Sequence, residues 1–274
     1  MTNETTTTTT TTLRLTDPAV REHMEALPAS QVLIGLADDG QPVCVDLDGE
    51  APHVLVCSGT GGGTTTVLRT LAAQLLHDGS DGLVLDHKRI SHRWANDVPG
   101  VTYCRDIADI HNALMGLRAE LQRRLHLINQ DGDIDDLPRL TVVFDAADAT
   151  LGQLARNWDT AREKGDPKTS PAVDAIEYVL FAGREVRIHL LVGAQLDRGA
   201  LGEWRENFST VVLGRVTTRT FKRLAPQFRP APEPSTQPGH VHVVQGSNIH
   251  PTQILLLTDD EAAAGITTTE TDKD

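Results

Sequence analysis

The sequence predicts an α/β fold with a central, mostly parallel sheet flanked by helices and a small N-terminal β-hairpin. Three observations lead there. Short, almost wholly apolar runs alternate with longer segments of helical period, the pattern of strands buried on both faces and joined by crossover helices. A glycine cluster lies between one such run and a helix start. Aromatic residues make up only 4% of the 274-residue chain, so the core has to be built from Leu, Val, Ile and Ala, residues that suit a covered parallel sheet.

The elements follow in chain order. Residues 1–12 are nearly all threonine and cannot bury a core, so a disordered tail is expected. Gln31–Leu36 and Pro42–Asp46 flank Asp38-Asp39-Gly40 and read as a short hairpin. His53–Cys57 is a compact apolar run, followed by the glycine cluster and a helix from Thr65 to His77. Gly82–Asp86 is a second buried strand. Ile107 to Ile128 is a long amphipathic helix with Ile107, Ile110, Leu114, Leu117, Leu121 and Leu125 on one face. Leu140–Asp145 is a third strand, bounded by Pro138 and ending in an acid. Ala172–Val186 reads as helix, and Ile188–Ala194 and Thr210–Gly214 as strands. Five prolines between Pro226 and Pro238 forbid regular structure and predict a surface loop. His240–Gln245 and Gln253–Leu257 read as late strands, and an acidic, Thr-rich tail is expected over 266–274. The domain then spans 13–265.

Two strand ends carry chemistry. Ser58-Gly59-Thr60-Gly61-Gly62-Gly63-Thr64-Thr65 joins a buried strand to a helix, the context a phosphate-binding loop requires. Backbone amides must approach a pyrophosphate closely, which calls for glycine, and the helix start adds unpaired N–H groups and a positive dipole end. The usual pattern has Gly first and Lys before the final Ser/Thr; Ser58 and Thr64 stand there instead. Without Lys the loop keeps its amides but lacks a charged contact commonly worth about 1.5–3 kcal/mol. Thr65 keeps the hydroxyl that ligates Mg²⁺. Leu140–Asp145 has the form of the strand whose terminal Asp holds Mg²⁺. Active ATPases normally place Glu next, and Ala146 stands here; Asp148 is a weak substitute. Taken alone, each motif is also compatible with an ordinary Gly/Thr turn and a helix-capping Asp.

The motifs together resemble the FtsK/SpoIIIE family of DNA translocases, of the actinobacterial, phage and plasmid type. The resemblance rests on Ile34-Gly35-Leu36 through Asp38-Asp39-Gly40-Gln41-Pro42-Val43, on Ala51-Pro52-His53-Val54-Leu55-Val56 before the loop, and on Leu85-Asp86-His87-Lys88. It continues through Asp145, Ala182-Gly183-Arg184, Ile188-His189-Leu190, Ala194-Gln195, Asn207-Phe208, Leu213-Gly214-Arg215 and Leu257-Thr258-Asp259-Asp260-Glu261-Ala262, covering roughly 25–265. It implies a RecA-like P-loop NTPase that binds ATP with Mg²⁺, assembles as a ring oligomer such as a hexamer, and pumps double-stranded DNA. By position it assigns Ser58, Gly59, Thr60, Gly61, Gly62, Gly63, Thr64 and Thr65 to the nucleotide, and Thr65 with Asp145 to the metal. Gln195 would sense the γ-phosphate and Arg184 would face a neighbouring subunit's nucleotide. Thr64 and Ala146 depart from the family at the two groups most tied to hydrolysis. A hydrolysis-deficient pseudo-ATPase, acting as adaptor or regulator of an active FtsK-like subunit, is therefore the alternative; a nucleotide-free module that kept only the fold is a third.

Composition narrows the choice. A net charge of −13 argues against a free-standing basic nucleic-acid module but leaves room for a local patch, for which Arg215, Arg219, Lys222 and Arg223 are candidates. Lys88 is a candidate for the missing cation, weighed against a solvated loop lysine. Cys44, Cys57 and Cys104 have no metal-ligand spacing and read as reduced thiols. His240 and His242 lack a third ligand, and the acidic stretch 131–136 lacks the spacing of a calcium loop. No run reaches the ~18 apolar residues of a membrane span, so a cytoplasmic location is expected.

Overall fold

The computed structural model describes residues 12–50, 52–130, 132–195 and 200–271, with the backbone alone for 200–203 and 267–271. The threonine tail up to residue 11, Ala51, Asp131, 196–199 and the last three residues lie outside it.

Helix α1 (Pro18–Ala26) leads into the hairpin β1 (Gln31–Ala37) and β2 (Pro42–Asp46). The alternation of strand and helix then begins: β3 (Val54–Ser58), α2 (Thr64–His77), β4 (Asp81–Leu85), β5 (Val101–Cys104), α3 (Ile107–Asn129), β6 (Leu140–Phe144), α4 (Ala147–Ala161), α5 (Pro171–Ala182), β7 (Ile188–Ala194), β8 (Thr210–Gly214), α6 (Thr218–Leu224), β9 (His240–Gln245), β10 (Asn248–Ile254) and α7 (Asp259–Thr271). All ten strands form one sheet in the order β2-β1-β10-β9-β8-β3-β7-β6-β4-β5. From β8 to β5 every pairing is parallel; from β8 outward through β9, β10, β1 and β2 every pairing is antiparallel.

Apart from the edge strand β5, the strands of the parallel half are buried on both sides, and their side chains divide between two cores. Leu55, Cys57, Leu190 and Val192 face a layer that includes α3, α5 and Phe221 of α6. Val54, Val56, Leu191 and Val143 face α2, Trp94 and α7. That double burial explains why these strands read as continuous apolar runs instead of alternating. The loop 225–239 carries no regular element, as its prolines require.

The sequence reading misplaced the last strand. The structure ends β9 at Gln245, turns at Gly246-Ser247 and pairs Asn248 back onto Gln245. Gly246 has φ +55°, the left-handed backbone such a tight turn needs. The apolar residues after Gln253 drew the reading toward Leu257. Leu255 and Leu257 are indeed buried, but beyond Ile254 the chain leaves the ladder: Leu255 forms an isolated bridge to Leu13 and donates its N–H to the Ile34 carbonyl. Likewise α5 stops at Ala182, and Arg184–Val186 is a separate 3-10 turn. Helix α7 runs to Thr271, through the segment expected as the start of a tail.

Candidate functional site

β3, β6, β7 and β8 run parallel, so the loops after them gather at one edge of the sheet. Between β3 and α2 the chain passes through Ser58–Thr65. Gly61 and Gly63 take φ +73° and +95°, left-handed values that glycine adopts at little cost and other residues do not. Gly62 lies against Ser58: a β-carbon there would come within 2.7 Å of the Ser58 Cβ. Gly59 donates its N–H to the Gly214 carbonyl (3.2 Å) and Gly62 to the Gly59 carbonyl (2.9 Å), which fixes the curvature. Among the described residues, the N–H groups of Thr60, Gly61 and Gly63 have no intramolecular partner. They border the start of a 14-residue helix, and such a cluster of open amides fits an anion.

The two departures from the phosphate-loop pattern touch each other. The hydroxyls of Ser58 and Thr64 are 2.5 Å apart, and Ser58 is only 3% exposed. The position that would project a lysine is thus turned inward onto the loop's own first residue.

Thr65 points the other way. Its hydroxyl donates to Asp145 Oδ2 at 2.9 Å. β7 lies between β3 and β6, and what lets the loop reach across it is Gly193. A β-carbon on Gly193 would fall 2.7 Å from Thr64 Cγ2 and 3.2 Å from Asp145 Oδ1. Asp145 is 2% exposed. Its Oδ1 accepts the Ala146 N–H at 2.7 Å and lies 3.4 Å from Lys88 Nζ. Its Oδ2 also faces His92 Nε2 at 3.4 Å. Burial pushes the Asp145 carboxyl up, but the His92 imidazole, Lys88 and the Thr65 hydroxyl outweigh it and hold the group well below the usual carboxylate range. It is therefore an ionised oxygen donor at neutral pH. With the Thr65 hydroxyl it makes a donor set of the hard kind that suits Mg²⁺. Among the described residues no group of three or more His, Cys, Asp or Glu is arranged to hold a metal, the His240–His242 pair included, so a divalent ion here would draw its remaining ligands from phosphate and water.

His92 is a further residue of the site that no sequence pattern announces. It has 0% exposure. The Trp94 indole N–H donates to His92 Nδ1 at 3.2 Å; an indole can only donate, so the ring proton sits on Nε2, toward Asp145. Nε2 has no hydrogen-bond partner of its own. The turn carrying Lys88 and His92 is anchored by Asp86, also buried, whose Oδ2 accepts from the N–H groups of Ser91 and His92 (2.9 and 3.0 Å) and from the Tyr103 hydroxyl (3.0 Å).

The remaining sequence candidates divide by edge. Gln195 follows β7 directly and is exposed at the loop's edge of the sheet. Ala146 has φ +50° and caps the start of α4; no carboxylate directly follows Asp145. Asp148 lies in the first turn of α4, past the strand end that carries Asp145. Arg184 does not join the group: it precedes β7, at the opposite edge, and its guanidinium donates to the Glu50 carbonyl at 3.3 Å. Arg215, Arg219, Lys222 and Arg223 follow β8 and are exposed on the loop's edge. Asp133 and Asp135 belong to a turn tied to Arg187, away from the site.

Comparison with known proteins bears on this arrangement. Residues 19–137 match the model of the FtsK/SpoIIIE family, a span that includes the loop, Lys88 and His92 but ends before Asp145. The chain is 27% identical over 197 residues to the DNA translocase SftA of Bacillus subtilis (strain 168), covering 60% of this chain and 21% of SftA; it spans about a fifth of that relative's length. The pCW3 conjugation coupling protein TcpA, in its monomer form with ATPγS, has a similar structure, with TM-score 0.73 and 19% identity over 96% of this chain and 74% of that one. The cytoplasmic domain of the Type VII secretion ATPase EccC of Thermomonospora curvata gives TM-score 0.66 and 18% identity over 88% of this chain and 31% of the other. At these identities the structural likeness establishes the fold, that of RecA-like P-loop ATPases.

Proposed function

We propose that this chain, whose residues 19–137 match the FtsK/SpoIIIE family model, is an FtsK/SpoIIIE-type P-loop domain that binds ATP with Mg²⁺ and acts on double-stranded DNA. The observation that carries the reading is the 2.9 Å contact of Thr65 with an ionised, buried Asp145 beneath a glycine loop with open amides. Residues 13–265 form the working domain. The amides of Gly59–Thr65 hold phosphates, Thr65 and Asp145 hold the metal ion, and Gln195 reads the γ-phosphate end. When bound, Mg²⁺ offsets phosphate charge; the chain's own part is to orient the triphosphate and exclude competing contacts. The exposed basic residues of α6 and Arg215, on the same edge, are where DNA phosphates are met despite the acidic net charge. Location is cytoplasmic, in keeping with the absence of any helix long and apolar enough to cross a membrane among the described residues. The working form is a ring of copies, or one copy beside an active subunit.

A second reading has its own observation. With the Thr64 hydroxyl turned onto Ser58 and Ala146 beside Asp145, neither group that drives hydrolysis in the family is at its usual place. The chain would then bind nucleotide without turnover, as an adaptor or regulatory subunit.

One set of measurements decides. Purified chain is titrated with ATP and Mg²⁺ and assayed for phosphate release with and without linear duplex DNA. DNA-stimulated turnover, abolished by Asp145→Asn, supports the translocase reading. Binding without turnover supports the pseudo-ATPase. No binding of ATP or ATPγS at millimolar concentration refutes the nucleotide site.

A further inference from the structure

We infer that Lys88, from the turn after β4, supplies the positive charge for the terminal phosphate that Thr64 cannot. The inference rests on the nucleotide reading above and assigns a residue to it. The need is local: the loop has open amides but no cation, and the Thr64 hydroxyl is engaged with Ser58 at 2.5 Å. Arg215 borders the loop too, but its guanidinium donates to the Thr236 carbonyl at 3.1 Å.

Lys88 meets the geometric requirements. β4 pairs with β6 in parallel, so the turn after β4 and the acid after β6 end side by side. Lys88 Nζ lies 3.4 Å from Asp145 Oδ1, while Thr65 approaches Oδ2. The ammonium and the hydroxyl thus flank one carboxylate from two sides. The backbone beneath Lys88 is fixed, because buried Asp86 accepts from two amides of its turn and from Tyr103, and Arg89 N–H closes onto the Asp86 carbonyl at 2.9 Å. The side chain above it is 48% exposed and has four methylenes to swing. A metal ion taking the Asp145 carboxylate would compete with Lys88 for it, and the nearest other anion would be the triphosphate.

His92 closes the same corner from below. Its buried Nε2–H faces Asp145 Oδ2 at 3.4 Å, longer than an ordinary hydrogen bond, so it helps keep the carboxylate ionised and in place between Thr65 and Lys88. His92 is a positioning residue in this account, locked by Trp94.

The test is a pair of binding titrations on the whole chain with Mg²⁺, using fluorescent ATP and ADP. Wild type binds ATP more tightly than ADP. Lys88→Ala loses about ten- to a hundredfold in ATP affinity, the usual worth of one charge-assisted contact, with a much smaller loss for ADP. Lys88→Arg keeps the preference. Lys88 is half exposed, so thermal melts of the variants match wild type. The assignment is overturned if Lys88→Ala keeps the wild-type preference, or loses ATP and ADP affinity equally. Wild type that binds neither nucleotide overturns the nucleotide reading itself and takes this assignment with it.

Discussion

Single residues decide how the two halves of the site meet. Gly193 is the least conspicuous of them, yet the approach of Thr64 and Asp145 across β7 depends on its missing side chain. Gly193→Ala would put a methyl 2.7 Å from Thr64 Cγ2 and 2.8 Å from Leu68 Cδ1, too close for carbon atoms. Overpacking of this kind costs about 1–3 kcal/mol, and here the strain falls on the Thr65–Asp145 contact. The expected outcome is a lowered melting temperature together with weakened Mg²⁺-dependent nucleotide binding; a variant that melts and binds like wild type would contradict the account. Thr65 and Asp145 were legible from spacing alone, because a hydroxyl after glycines and an acid after an apolar strand are local patterns. Gly193 and His92 were not. Each matters through a neighbour far off in sequence, and nothing adjacent to either announces it.

At the scale of elements, the hairpin and the loop helix are joined by one side chain. The β1–β10 ladder covers only Gly35–Ala37 on the β1 side, leaving Leu33 beyond it. The Gln74 amide, on α2, accepts the Leu33 N–H and donates to the Leu33 carbonyl, both at 2.9 Å. A side chain thereby stands in for a missing length of strand, inside the core. Gln74→Leu would leave both backbone groups buried and unsatisfied, at about 2–4 kcal/mol. Denaturant unfolding should show a lower midpoint at unchanged slope, and an unaltered midpoint would disprove the role. The strands of the parallel half were legible because double burial writes them as apolar runs. α1, α4 and β5 escaped the reading. β5 is a four-residue edge strand with exposed Thr102, too short to show a period, whereas α4 does carry its four buried residues on one amphipathic stripe among polar ones. The β9–β10 turn was obscured by the apolar residues that follow it.

Over the whole molecule, the sheet has a wet edge for chemistry and a dry one that governs response to acid. At the edge away from the phosphate loop, His53 accepts the Leu190 N–H through Nδ1 (3.1 Å), and His189 lies 3.3 Å from Arg139. Burial lowers the His53 pKa to about 4; burial, with the charge of Arg139, lowers that of His189 to about 3. The unfolded chain takes up these protons below about pH 6.5, while the folded chain refuses them until pH 3–4. Stability from the pair is thus complete above pH 6.5 and declines as pH falls, by on the order of 2 kcal/mol per histidine at pH 5. Unfolding midpoints measured from pH 7.5 to 5 should drop steeply in wild type and less in His53→Asn or His189→Gln; parallel curves would argue against it. The same sheet separates Arg184 from Asp145 by the length of β7, roughly 20 Å at strand rise, with no hinge between. One copy cannot fold its arginine onto its own carboxylate. Under the ring proposed above, a phosphate met by Arg184 would belong to another copy; an open row would then hold one completed pair fewer than its members, and only a closed circle would leave none over.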